Sequence, residues 1–99
     1  LLPPYGRLVA IIVSAREKPV AEGFARRMAQ LAPHAKQIEV LGPAEAPLAV
    51  IRGRHRFRLL LKADRAQDVQ SYVRAWVAAL PPIKGDLKMA IDIDPYNFL

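Results

Sequence analysis

Residues 52–62 read Arg-Gly-Arg-His-Arg-Phe-Arg-Leu-Leu-Leu-Lys, and their alternation constrains how the rest of the chain must fold. Successive side chains of a strand point to opposite faces. Arg54, Arg56 and Arg58 therefore share one face, and His55, Phe57, Leu59 and Leu61 share the other. The second set is apolar enough to be buried, so a helical layer belongs on that side. The arginines then lie on an open sheet face. Arg52-Gly53-Arg54 reads as a tight turn ahead of a strand from His55 to Lys62, with glycine supplying the positive φ.

Upstream of this turn, Leu48 to Ile51 is extended. It follows Gly42-Pro43-Ala44-Glu45-Ala46-Pro47, whose two prolines exclude a regular central ladder, and before that Ile38 to Leu41 is a short strand. Downstream, Asp64 with Gln67 three residues later matches a capping box. Val69, Tyr72, Val73, Trp76, Val77 and Leu80 then form a helical apolar stripe that Pro81-Pro82 ends.

Nearer the start, Arg7 to Ala15 is β-branched and almost wholly apolar, the pattern of a central strand covered on both faces. Pro19 suits the first turn of a helix. Val20, Phe24, Met28 and Leu31 recur at helical spacing beside Ala21, Ala25 and Ala32, with Arg26, Arg27 and Gln30 opposite, until Pro33. Finally Leu87, Met89, Ile91 and Ile93 alternate with Lys88, Ala90, Asp92 and Asp94, a half-buried strand. The order is β-α-β-β-α-β. Two one-sided helices need one sheet to cover, so the expected class is α+β. The arrangement is a ferredoxin-like split βαβ, with both helices on one face of an antiparallel sheet. One domain spans 1–99.

Composition narrows the function. The chain has 99 residues, 53% of them apolar, and no cysteine, which removes disulfides and thiolate-zinc sites. Leu8 to Val13 is too short to span a bilayer and lacks the layout of a signal peptide. A cytoplasmic location without membrane attachment is expected. The Leu-Leu-Pro-Pro opening reads as that of a fragment. Fifteen basic residues against nine acidic give a net charge of +6 and a pI near 10.2, a balance that favours nucleic acid as partner.

Enzyme signatures are absent from the residue pattern. The five glycines are scattered and make no phosphate-cradling loop. His34 and His55 lack metal-ligand spacing and read as surface or edge histidines. Ser14 and Ser71 have no base nearby in sequence. Asp92 and Asp94 lie two apart on a strand and face one way, which suits a cation in principle and a solvated strand end more simply. No catalytic residue, cofactor or metal is expected for these residues.

The arginine row is the exception. Alternate strand positions are about 7 Å apart, comparable to the phosphate repeat of an extended single strand. Three like charges so placed repel unless an anion offsets them. Arg52 extends the row beyond the turn, and Lys62 continues it at the far end. No aromatic platform shares that face, so contact is expected with DNA backbone and shape rather than with base sequence. Replacing these arginines is expected to leave thermal stability nearly unchanged.

Four segments carry a family resemblance. Leu-Gly-Pro-Ala-Glu-Ala-Pro-Leu (41–48), Ile-Arg-Gly-Arg-His-Arg-Phe-Arg-Leu-Leu-Leu-Lys (51–62), Pro-Pro-Tyr-Gly-Arg-Leu (3–8) and Ile-Asp-Ile-Asp-Pro-Tyr-Asn-Phe-Leu (91–99) resemble the C-terminal domain of the replication-restart helicase family PriA, or primosomal protein N′. The match extends over nearly the whole chain. It implies a C-terminal DNA-binding module of a larger ATP-dependent 3′-5′ DNA helicase that acts on forked or single-stranded DNA in primosome assembly. ATP, magnesium and zinc would be bound upstream of these residues, and the helicase lobes would be partners in the same chain. The resemblance also implies contact with the acidic, hydrophobic tail of single-stranded DNA-binding protein near Arg65 and Gln70. The competing reading is a protein-docking domain, its arginines meeting acidic protein surface instead of phosphate.

Overall fold

A computed structural model describes residues 6–94. The elements run β1 (Gly6–Ala15), α1 (Lys18–Leu31), β2 (Ile38–Ile51), β3 (Arg54–Asp64), α2 (Val69–Ala78) and β4 (Lys88–Ile93). The strands form one sheet in the order β2-β3-β1-β4, with antiparallel neighbours throughout. This is the ferredoxin-like split βαβ arrangement. The two apolar strands take the centre because a central strand spends both edges on hydrogen bonds and is shielded by neighbours.

The core forms between one sheet face and the helices. Val9, Ile11 and Val13 of β1 pack there with Phe57, Leu59 and Leu61 of β3 against Ala21, Ala25 and Met28 of α1 and Val69, Val73 and Trp76 of α2. Alanines on the buried side of α1 let that helix lie close to the sheet. The helices also lock to each other. The indole of Trp76 is buried and donates to the Met28 carbonyl at 2.9 Å. Tyr72 donates its hydroxyl to the Pro33 carbonyl at 2.7 Å, and its ring meets Trp76 edge-on at 5.9 Å.

Several expectations are corrected. Among the described residues no helix covers the second face of β1; Leu8, Ala10, Ile12 and Ser14 lie on the open side, where flanking strands leave Ala10 only 9% exposed. Val20 and Val77 fall outside the buried helical stripes and are exposed. The cap of α2 is Asp68, which accepts from the Ser71 amide at 3.1 Å. Asp64 instead closes β3 opposite Gly6, and its carbonyl accepts from the Gln67 amide at 3.0 Å. Strand pairing takes that residue away from the helix.

The proline-rich segment does not break β2 in two. It makes β2 one bulged edge strand, with register shifts between Leu41 and Ala44 and between Glu45 and Val50. At Gly42 (φ +101°) an added Cβ would stand 2.8 Å from the Arg58 carbonyl, so the first bulge requires glycine. The hairpin turns on Arg52 (φ 51°) and Gly53 (φ 76°), the doubly positive turn that matches strand twist.

Candidate nucleic-acid interface

Strand β3 supplies the axis of the open face, with Arg54, Arg56, Arg58, Leu60 and Lys62 projecting from it in alternation. On β1, Ser14 lies opposite Arg56, Ile12 opposite Arg58, Ala10 opposite Leu60 and Leu8 opposite Lys62. Strand β4 continues the face with Lys88, Ala90 and Asp92, and β2 with Glu39, Leu41 and Ala44. The surface is thus small and aliphatic, crossed by a cationic row. Among the described residues it carries no aromatic ring, which suits contact with a sugar-phosphate chain better than stacking of bases.

The four arginines are not equivalent. Arg54 is folded inward: it donates to the Ser14 carbonyl at 2.9 Å and to the Ser14 hydroxyl at 3.2 Å. It also pairs with Asp86 at 3.1 Å, leaving its side chain 18% exposed. Asp86 simultaneously accepts from the Arg16 amide at 2.8 Å. That amide, then the charges of Arg54 and Arg16, hold the Asp86 carboxyl below the usual range. Arg54 is therefore a clasp joining the ends of β1 and β3 to the loop before β4.

Arg56 has a different internal task. One guanidinium nitrogen donates to the Pro47 carbonyl at 2.7 Å and the Leu48 carbonyl at 2.8 Å. These are the carbonyls that the second β2 bulge withdraws from the ladder, and Arg56 satisfies them. Both arginines hold backbone or side-chain groups of the domain, which argues against the expectation that they could be removed without affecting stability.

The side chain of Arg58, by contrast, has no hydrogen bond or ion pair among the described residues, and neither do those of Arg52 at the turn and Lys62 at the far end. Arg58 lies between Ile12 and Ala44 in mid-face. Lys62 borders an open cavity of about 320 Å³ shared with Lys36, Glu39 and Asp64. The mixed signs there make no anion site.

Arg65 and Gln70 are both exposed, in the turn before α2 and in its first turn. Arg65 already has an interaction partner. Ser14 is held by Arg54, and Ser71 donates its hydroxyl at 2.7 Å to Asp68, the carboxylate that caps α2. The supposed carboxylate pair separates, because β4 stops at Ile93 and Asp94 (φ 51°) turns to Arg7, with an ion pair at 2.7 Å. No group of three His, Cys, Asp or Glu gathers among the described residues. The chain has no cysteine and therefore no thiolate ligand for zinc. No described helix is long and apolar enough to cross a membrane. Asp86, which the sequence reading passed over, carries no local signal: its partners lie 32 and 70 residues away.

The family model described as the primosomal protein N C-terminal domain matches residues 1–96. The replication restart protein PriA of Rickettsia felis is 31% identical over 97 residues, covering 98% of this chain and 15% of its own length. That of Haemophilus influenzae is 29% identical over 99 residues, with 97% and 13% covered. A probable replication restart protein PriA of Deinococcus radiodurans is 41% identical over 63 residues, 62% of this chain and 7% of its own. The chain thus spans about 15% of the length of the relatives it matches end to end.

Proposed function

The chain belongs to the primosomal protein N C-terminal domain family, and on that premise we propose that it is the DNA-contacting C-terminal module of a replication-restart protein. Its open sheet face meets the phosphates of forked or single-stranded DNA through Arg58, Lys62 and Arg52, while Arg56 contributes the donors its internal bonds leave over. The observation that carries this reading is Arg58: a cation in the middle of a sheet face whose side chain has no partner among the described residues. A guanidinium so placed suits a planar, bidentate phosphate contact. Hydrolysis of ATP and unwinding of DNA belong to the remainder of such a protein. The first turn of α2, with Gln70 beside Arg65, supports a secondary contact with the carboxylate-ended tail of single-stranded DNA-binding protein, since a helix N-terminus favours anions.

The salt dependence of binding to forked, single-stranded and duplex oligonucleotides tests this. Neutralising three phosphates on a single strand gives a log-log slope of about −2, at roughly −0.7 per phosphate. Arg58→Ala combined with Lys62→Ala should reduce its magnitude by about 1.4, almost equally for all base sequences. An unchanged slope would remove phosphate from this face and favour acidic protein as its partner.

A further inference from the structure

Exposed aliphatic residues concentrate at one place among the described residues. Leu48 is 75% exposed, Val50 53% and Ile51 38%, all within four positions at the end of β2. Leu48 also has φ 55°, a left-handed conformation that leucine seldom adopts. Its carbonyl and that of Pro47 are captured by Arg56 from the neighbouring strand. A side chain with every reason to withdraw from water is thus held outward in an unfavourable backbone conformation, by a dedicated clamp. Strained backbone of this kind persists where the surroundings over-determine it, and it gathers at functional positions.

The charge around the knob describes its partner. Residues 46–58 contain no acid, while Arg52 at the turn and Arg56 against the Leu48 carbonyl bring positive charge to the knob. The flanking carboxylates are taken, Glu45 by Lys18 at 3.1 Å and Asp86 by Arg54 at 3.1 Å. The surface is an aliphatic centre with a cationic rim, the apolar-core and polar-rim layout of a protein interface. Nucleic acid offers no aliphatic surface to bury three such side chains. A second copy of the chain would bring the same arginines face to face. The relatives matched end to end, meanwhile, have more than four fifths of their length outside the matched region.

We propose that the tip of the β2–β3 hairpin, centred on Leu48, Val50 and Ile51, docks into an apolar, carboxylate-rimmed surface elsewhere in the parent polypeptide. This rests on the reading of the chain as one module of a restart protein. Docking leaves the open sheet face, and Arg58 in it, free for DNA.

Hydrogen exchange in the full-length parent protein, without DNA, tests it. Within 46–49, Pro47 has no amide and Ala46 is buried, but Leu48 and Ala49 have no ladder partner on β3, so their amides exchange rapidly unless another surface covers them. They should be protected, and Leu48→Asp or Val50→Asp should accelerate their exchange at least tenfold. Ile83→Asp, at an exposed aliphatic position away from the hairpin (46% exposed), should not. Leu48→Gly relieves the backbone strain while removing the anchor, so it should raise the thermal midpoint of the domain and still abolish protection at 48–49. Amides of β1 and β3 report that each variant is folded. Rapid exchange at 48–49 in the wild type, or no change in the aspartate variants, would overturn docking. So would protection that appears only when an oligonucleotide is added, which would assign the hairpin to DNA. The salt-slope experiment can fail without touching this result, because no DNA is present here.

Discussion

Arg56 holds Leu48 by its backbone: a guanidinium nitrogen from β3 sits 2.8 Å from the carbonyl of a leucine with φ 55°. The same nitrogen serves the Pro47 carbonyl. One residue of the proposed binding row is thereby also the fastening of the bulged edge strand. The proposed binding role would thus be coupled to stability at Arg56 and uncoupled from it at Arg58, two positions along the same strand.

Arg56→Ala should destabilise the domain by about 1–2 kcal/mol, since it frees two carbonyls from a charged donor at a partly solvated site. That corresponds to a fall of roughly 5–12 °C in the thermal midpoint for a domain of this size. Arg58→Ala should stay within about 0.5 kcal/mol of the wild type. Paired denaturation curves decide the matter, and equal effects at the two positions would contradict the clamp.

The two glycines of the bulged hairpin should respond differently to alanine. Gly53→Ala meets only backbone strain, because nothing lies within 4 Å of the added Cβ, and should cost about 1 kcal/mol. Gly42→Ala adds a collision with the Arg58 carbonyl 2.8 Å away and should cost roughly 2–4 kcal/mol. Urea midpoints of the two variants give the comparison.

Trp76→Phe keeps an aromatic ring between the helices but leaves the Met28 carbonyl without its donor. A loss of about 1–3 kcal/mol is expected, and Trp76→Ala should cost roughly 3–5 kcal/mol through cavity formation. Trp76 is the only tryptophan. The wild-type transition can therefore be followed by its fluorescence, and the variants by circular dichroism.

Acid should weaken the fold in a defined window. The Arg7 guanidinium, hydrogen-bonded to Asp94, lowers that carboxyl below its ordinary value; the Arg16 amide does the same for Asp86. A group whose folded pKa is depressed stabilises the native state above its unfolded pKa and loses that contribution as pH falls through the folded one. Stability should therefore be level near neutrality and decline below about pH 4. Asp86→Asn and Asp94→Asn should each flatten the decline while lowering stability at pH 7. Denaturation midpoints from pH 2 to 7 measure it, and a decline as steep in the double variant would assign it to other carboxylates.

How much of this was readable along the chain follows from the range of the interactions. The alternation of Phe57, Leu59 and Leu61 with arginines, and the helical stripe through Val69, Val73 and Trp76, were legible in the sequence. Each is a local periodicity facing one environment, and together they require one sheet with helices on one side. The family motifs at 41–48 and 51–62 were legible for the same reason, being contiguous. The position of the α2 cap was not. Whether Asp64 caps a helix or ends a strand depends on Gly6 pairing with it from the other end of the chain.

The division of labour among the arginines was likewise decided only in three dimensions. Arg54, Arg56 and Arg58 stand in equivalent positions of one alternating row. What separates them is a Ser14 hydroxyl and an Asp86 carboxylate beside the first, two unladdered carbonyls beside the second, and Ile12 and Ala44 beside the third. Those neighbours arrive from other strands and from a loop 32 residues away from Arg54. Periodicity along the chain determined which face each guanidinium takes, and hydrogen bonds across the sheet determined which of them remains available to a partner.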